Sequence, residues 1–507
     1  MDKVFEDLTL NIDTGWRLGL IGRNGRGKST LLKLLNKELS PVKGELHSVE
    51  NTFCFPFVPK HSEETTFRVI RDSIAPYSYW EIKMDELSKA GDNESLLEFG
   101  GILEKYQNAN GYEIDALIRK EFAELGMNED LLEREFSSLS GGEQTRSLII
   151  SLFLRKDSFP LIDEPTDHLD MKGRIILGEY LSKKAGFILA SHDRNFLDIC
   201  TDHILSINKS DVRLNKGNYS QWKYNMQIEE EFEKRRNENL KREVRSLEAA
   251  ARKNRQWSGV KEKEKIGAWD KGYVGHKSAK LMKRAIHIEH RMNRKLDEKK
   301  SLLKNAEEER KLRITTEKGT DKVLSAVNAS LDLDGKKIFE NFSLDVFKGE
   351  RVALTGDNGC GKTSFLRAIK KEIELTEGSL HIPGYITITF SDQNPAWISG
   401  SLREHLLNEN IDETIFRNIL GVMGAWGELF DRPLETFSRG ELKKVELCKS
   451  FIKQSDLLIW DEPLNYLDTD SREQLEEVIL KFKPTMLFTE HDKTFVDNVA
   501  TKIINMN

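Results

Sequence analysis

Two short stretches of this chain combine glycines, a lysine and a hydroxyl residue in one spacing: GRNGRGKS at 22–29 and GDNGCGKT at 356–363. Glycines so placed let successive backbone N–H groups converge on phosphate oxygens at the start of a helix. Gly22, Asn24, Gly25 and Gly27 form one candidate cradle, and Gly356, Asn358, Gly359 and Gly361 the other. Lys28 and Lys362 are expected to reach the β- and γ-phosphates of ATP. Ser29 and Thr363 are expected to ligate Mg2+, with Thr30 and Ser364 beside them in the nucleotide site. A second chemistry lies downstream, where the apolar runs LIDE and LIWDE end in adjacent carboxylates. Asp163 and Asp461 suit Mg2+ held through water, and Glu164 and Glu462 suit polarisation of an attacking water. His192 and His491 close two further apolar runs, 28 and 29 residues beyond those glutamates. A lone histidine after a strand is ordinarily structural. Its repetition at this spacing marks both as catalytic candidates.

The elements that must position these residues occur twice, in one order. LSGGEQ at 139–144 and FSRGEL at 437–442 each precede the glutamate by the same interval, 24 residues from Ser140 to Glu164 and from Ser438 to Glu462. WRLGLI and RVALTG read as strands before the loops, and LLKLLNKEL and SFLRAIKKEI as helices after them. The pattern predicts an α/β fold of two P-loop domains, over 1–221 and 316–507. Lysine to signature serine is 112 residues in the first domain and 76 in the second. The excess of about 36 residues predicts a small helical insertion within about 80–125.

Between the domains the composition changes. Residues 222–315 carry 27 Lys/Arg against 16 Asp/Glu, a balance of +11 in a chain whose net charge is −6, which leaves −17 for the remainder. Apolar positions at Ile228, Phe232, Leu240, Val244 and Leu247, and again at Leu281, Ala285, Ile288, Met292 and Leu296, recur at three- and four-residue intervals. Two amphipathic helices are therefore expected to pair as a long antiparallel α-helical hairpin. Its glycine-broken tip, about 257–277, mixes Trp257, Trp269 and Tyr273 with Lys261, Lys263, Lys265, Lys271 and Lys277. Basic groups neutralise phosphates and aromatic rings stack on bases, so these eight residues are the candidate RNA contacts; the bland alternative is a solvated charged coiled coil. With 507 residues the chain exceeds one core, and no apolar run approaches 18 residues. Cys54, Cys200, Cys360 and Cys448 lack CxxC spacing and read as reduced thiols of a cytoplasmic protein.

The LSGGEQ signature with DEPTDHLD and DEPLNYLD resembles the ATP-binding-cassette superfamily. The resemblance implies two cassettes packed head to tail, each ATP lying between one P-loop and the other cassette's signature. Site one would join Lys28, Ser29, Asp163, Glu164 and His192 to Ser438 and Gly440. Site two would join Lys362, Thr363, Asp461, Glu462 and His491 to Ser140, Gly141 and Gly142, with Gln393 as a further nucleotide and metal contact. Four departures stand out. Arg439 replaces a signature glycine, and Phe57 stands where a glutamine is expected. No aromatic matches the usual adenine-stacking position, near which Leu333 falls, and the strand expected before FEDLTLNI is missing.

Two cassettes, an insertion in the first and a basic two-helix linker resemble the ABC-F family over essentially the whole chain. The text RKNRQWSGVKEKEK, with GHKSAKLMKRAIHIEHR, is most similar to its Vga/Lsa-type antibiotic-resistance factors. That resemblance implies a monomer with intramolecular cassette pairing that binds the 70S ribosome at the E site. Its tip would lie near 23S rRNA and peptidyl-tRNA, protecting the peptidyl-transferase centre from lincosamides, pleuromutilins and streptogramin A. The alternatives are a housekeeping ABC-F translation factor and, from another class, a transporter ATPase subunit, against which the fused hairpin argues. A DNA-repair cassette ATPase is disfavoured by the lack of CxxC pairs.

Overall fold

The computed structural model describes residues 4–47, 51–90, 92–208, 212–233, 321–333, 335–392, 395–423, 427–453 and 455–506, with a few isolated positions between 235 and 242. The chain divides into two compact units. One joins Met1–Ser220 with Arg313–Asn507, and the other is Gln221–Leu312. Within the second unit residues 221–233 are helical; the hairpin and its tip lie outside the described residues.

The first unit holds two P-loop α/β domains, the first and second cassettes. In the first, β1 (Arg17–Gly22) leads through the P-loop into α1 (Lys28–Leu35). Then come β2 (Asn51–Phe55), α2 (Thr66–Ile74), α3 (Tyr77–Ala90), α4 (Asn93–Asn108) and α5 (Ile114–Glu124). α6 (Gly141–Leu154) and β3 (Ser158–Asp163) follow, then α7 (Met171–Ser182), β4 (Phe187–Ala190), α8 (Arg194–Cys200), β5 (His203–Ile207) and β6 (Val212–Lys216). The strand order is β2-β3-β4-β1-β5-β6, parallel except for β6. Burial on both faces explains the unbroken apolar text: Leu18, Leu20, Leu161, Ile162 and Leu189 are fully enclosed.

The second cassette opens with β7 (Lys322–Leu333) and β8 (Lys336–Phe347), an antiparallel pair in which β7 also pairs antiparallel with a later strand, β10 (Glu377–His381). Among the described residues the first cassette has no counterpart of this three-stranded sheet. β9 (Arg351–Thr355) feeds the second P-loop and α9 (Lys362–Ile369). β11 (Ile388–Ser391), α10 (Leu402–Asn408), α11 (Glu413–Val422), α12 (Arg439–Ile452), β12 (Leu457–Asp461), α13 (Thr469–Phe482), β13 (Met486–Thr489), α14 (Lys493–Val499) and β14 (Lys502–Asn505) complete it. Its parallel order β11-β12-β13-β9-β14 repeats that of the first cassette. Each P-loop therefore leaves a central strand, and each carboxylate pair leaves the strand two places away in its sheet.

In the first cassette, α3 and α4 pack around Tyr77, Trp80 and Tyr106, whose rings meet edge-on. The chain turns at Gly111 under the Tyr106 ring, where a Cβ would lie 2.3 Å from a ring carbon. No described helix is long and apolar enough to cross a membrane, and all four cysteines are free.

Candidate active site

The first P-loop bends at Gly27, whose φ of 99° is left-handed. A side chain there would also strike Val4, whose Cγ1 lies 2.5 Å from the ideal Cβ position. Lys28 is buried and donates to the Gly22 carbonyl at 2.7 Å. Burial draws its ammonium below the ordinary lysine value. Ser29 Oγ donates to Asp163 Oδ2 at 3.0 Å, so hydroxyl and carboxylate meet as a cation-ligating pair would. Burial raises Asp163, against the Ser29 hydroxyl that lowers it.

Glu164 adopts φ 47°, and Glu462 the same φ. Non-glycine residues avoid this left-handed region, and such strain collects at functional positions. The Glu164 N–H is tied to the Ala190 carbonyl of β4 at 2.9 Å, which aims the side chain at His192. The His192 N–H donates to Glu164 Oε2 at 3.2 Å, and its Nε2 lies 3.1 Å from Asn24 Oδ1. Burial, then Lys28 and Arg472, hold this imidazole well below its ordinary value. Glu164 Oε1 and His192 Nδ1 are buried without a hydrogen-bond partner. They border a cavity of about 480 Å³, lined also by Asn24, Lys28, Ser29 and Asp163. Buried polar atoms without partners are costly, so this cavity suits a strongly polar ligand.

The second site repeats the plan with different contacts. Lys362 donates to the Gly356 and Asp357 carbonyls at 2.8 and 2.9 Å. Asp461 Oδ1 accepts from Thr489 Oγ1 at 2.6 Å, and burial raises its carboxyl against that bond and one from Thr363. Thr363 and Asp461 line another cavity of about 480 Å³. His491 Nε2 lies 3.6 Å from Glu462 Oε1.

The two glutamates differ in the residue three places further along the chain. Asn465 Nδ2 donates to Glu462 Oε2 at 2.6 Å. Burial pushes Glu462 up, but the bonds from His491 and Asn465 outweigh it and leave the carboxyl below its ordinary value. The homologous residue in the first cassette is Asp167, a carboxylate. Burial, then Asp167, push Glu164 up to about 8 against the pull of Lys28.

Each P-loop asparagine bonds the other cassette. Asn24 Nδ2 donates to the Tyr466 carbonyl at 2.8 Å, and the Asn24 N–H to Asp468 at 2.9 Å. Asn358 repeats this with the His168 carbonyl at 3.0 Å and Asp170 at 3.4 Å. Gly440 completes the first junction, since a Cβ there would lie 2.6 Å from the Tyr466 carbonyl and 3.1 Å from Asn24 Nδ2. Gly142 packs likewise on the His168 carbonyl, 3.0 Å from its ideal Cβ, and Gly141 on the His168 side chain. Ser140 and Ser438 cap α6 and α12 through capping boxes with Glu143 and Glu441.

Among the departures, the exposed Arg439 stacks over Tyr466, 5.4 Å from the ring centre. Phe57 packs on Phe53, and the residues lining the first cavity there are Phe55 and Pro56. Leu333 sits exposed at the end of β7, whereas Ile338 and Phe339 lie against P-loop Gly361. Gln393 lies outside the described residues, as do Trp257, Lys261, Lys263, Lys265, Trp269, Lys271, Tyr273 and Lys277. Sequence reasoning passed over Asp167, Asn465 and the D170/D468 junction. Overlaying DEPTDHLD on DEPLNYLD exposes the first two.

Paired parallel sheets with facing P-loops define a tandem nucleoside-triphosphate-binding module. The chain belongs to the ABC transporter family of ATP-binding-cassette proteins, whose family model matches residues 5–167 and 339–465, more than half of its length. It is 26% identical to the putative ATP-binding protein YdiF of Bacillus subtilis (strain 168), over 100% of this chain and 78% of the relative. It is also 26% identical to ABC transporter F family member 5 of Arabidopsis thaliana (99% and 72% covered) and to ATP-binding protein Uup of Escherichia coli (strain K12; 98% and 77%). Among solved structures, the RNase-L Inhibitor matches with a TM-score of 0.60 at 19% identity, over 97% of this chain and 83% of that one. The archaeal ribosome recycling factor aABCE1, solved in complex with the ribosomal stalk protein aP1, matches with a TM-score of 0.59 at 20% identity and the same coverage. These two likenesses concern the fold.

Proposed function

We propose that the chain is an ABC-F ATPase whose two cassettes close on ATP and Mg2+ while it is bound to the ribosome, and reopen on hydrolysis. The observation carrying the ATPase reading is the reciprocal junction, in which Asn24 and Asn358 each bond the segment following the other cassette's glutamate. Lys28, Lys362 and the loop amides bind phosphate; Ser29 with Asp163, and Thr363 with Asp461, would hold the Mg2+ ion. When bound, Mg2+ neutralises charge on the transferred phosphoryl group. Glu164 and Glu462 orient the attacking water and accept its proton, and His192 and His491 hold those carboxylates. The junction asparagines link each site to the opposite cassette, so nucleotide state becomes relative movement.

The ribosome reading rests on the full-length similarity to F-family members and on the +11 balance of residues 222–315. It places the protein in the cytoplasm at the E site of the 70S ribosome, with the 257–277 tip beside 23S rRNA and peptidyl-tRNA. Protection of the peptidyl-transferase centre from lincosamides, pleuromutilins and streptogramin A is the finer form of this reading, supported by the linker text. The second form of the reading is a housekeeping translation factor without a drug phenotype.

The double substitution E164Q/E462Q should trap the closed form. With ATP it is expected to co-sediment with 70S ribosomes, and without ATP far less. Absence of ATP-dependent association sinks both forms. Unchanged lincomycin and tiamulin inhibitory concentrations on expression in a sensitive host remove the first alone.

A further inference from the structure

We infer that the facing surfaces of the two cassettes carry an exchanged charge code, which fits each P-loop to the unlike cassette and rejects the like cassette of a second copy. Arg23 Nε lies 2.7 Å from Asp470 Oδ2, and Lys172 Nζ lies 2.9 Å from Asp357 Oδ1. Arg23 and Asp357 hold the same place in the two P-loops, and Lys172 and Asp470 the same place two residues beyond Asp170 and Asp468. At both places the sign is exchanged. Two first cassettes brought together would set Arg23 against Lys172 twice. Two second cassettes would set Asp357 against Asp470 twice. Like charges facing each other discriminate between partners more than matched charges add affinity.

A buried contact reinforces the code. Arg194 of the first cassette is 7% exposed, bonds Glu476 of α13, and lies 4.0 Å from Glu473. The homologous places in α7 are Gly178 and Ile175, so in a pair of first cassettes Arg194 would lose the carboxylate it bonds and keep only Asp193, in the place of Asp492, which lies 4.0 Å away. Removing the bonded partner of a buried guanidinium is unfavourable. Lys493, which takes Arg194's place in the second cassette, is exposed. The partner that each face fits is thus the other cassette, and one chain completes both junctions.

The code can be inverted in the full chain with residues it already uses. K172D/D470K places at each position the residue found at the homologous one. Both unlike-cassette pairs then repel and both like-cassette pairs attract. The four charged groups are partly exposed, so the effect should be modest and salt-dependent. At low salt the ATP concentration for half-maximal hydrolysis is expected to rise about tenfold, and at 1 M salt to fall within about threefold of the parent. Sedimentation velocity with ATP at high protein concentration should show a two-chain species for K172D/D470K and one-chain mass for the parent. Adding R23D and D357R rematches every pair, and should restore one-chain mass and ATP dependence to within about threefold of the parent. The inference is overturned if K172D/D470K behaves as the parent at low salt, or if the four-substitution chain stays as impaired as K172D/D470K. The masses do not depend on catalysis. If the parent hydrolyses no ATP, the ATPase reading fails, and the sedimentation result alone supports or overturns the charge code.

Discussion

At the scale of the residue, the two sites are distinguished by Asp167 and Asn465. His491 and the Asn465 amide hold Glu462 below its ordinary value against burial, whereas burial and then the Asp167 carboxylate raise Glu164 to about 8. A general base works in its ionised form, so raising Glu164 lowers its competent fraction near neutral pH, and that fraction grows as pH rises. Replacing Asp167 with Asn removes one negative neighbour, which lowers that value and raises the competent fraction at neutral pH. In an E462Q background, which leaves site one to be read alone, D167N should speed hydrolysis about 3–10-fold at pH 7 and less than about twofold at pH 9. The pH–rate inflection should move downward. An unshifted inflection would show that Asp167 does not govern Glu164.

At the scale of the element, a short helix follows each histidine and is fixed by one carboxylate. Asp193 Oδ1 caps α8 at the Phe196 N–H (2.9 Å) while its Oδ2 takes Arg174 (2.8 Å). Asp492 does the same for α14 with Phe495 and Arg472. The symmetry breaks at Arg194, which crosses from α8 to Glu476 on α13, where Asn498 also bonds that carboxylate at 3.1 Å. R194M leaves Glu476 buried beside a methionine and should destabilise the cassette unit by about 3–5 kcal/mol in urea unfolding. R194M/E476L should recover most of that loss, because replacing a whole buried ion pair with apolar groups is near neutral. Equal loss in the double variant would mean that packing, not charge, holds this contact. Arg194 and Glu476 also mark where the sequence stops being readable. The P-loops, the carboxylates closing β3 and β12, and the histidines after β4 and β13 are legible because each motif is encoded within a few residues of one strand end. The 282-residue separation of Arg194 and Glu476 leaves no local pattern. The same holds for the Asn24 and Asn358 junctions, which arise from cassette pairing. Asp167 and Asn465 are visible as a mismatch between repeated motifs, yet their effect depends on the left-handed backbone at Glu164 and Glu462.

At the scale of the whole molecule, charge is divided unevenly along the sequence. Residues 222–315 hold a balance of +11, while the rest of the chain holds −17. The tip contributes little to that surplus. Residues 258–275 contain four lysines against two glutamates and one aspartate, a balance of +1. Affinity for a polyanion scales with the number of phosphates neutralised, and its logarithm falls linearly with the logarithm of salt concentration. Deleting 258–275 therefore leaves +10 of the +11 and should change the salt slope of ribosome association by no more than about one contact. The same deletion removes Trp269 and Tyr273, the rings proposed to stack on bases, together with Lys261, Lys263, Lys265 and Lys271. In an E164Q/E462Q background the shortened chain should still co-sediment with 70S ribosomes in ATP, with a nearly parallel salt dependence. Without those two substitutions it should lose any protection against lincomycin and tiamulin that the full chain confers. Equal protection by both chains would move the discriminating contact out of the tip and into the flanking sequence. A collapsed salt slope would show instead that the tip carries the phosphate contacts despite its near-neutral balance.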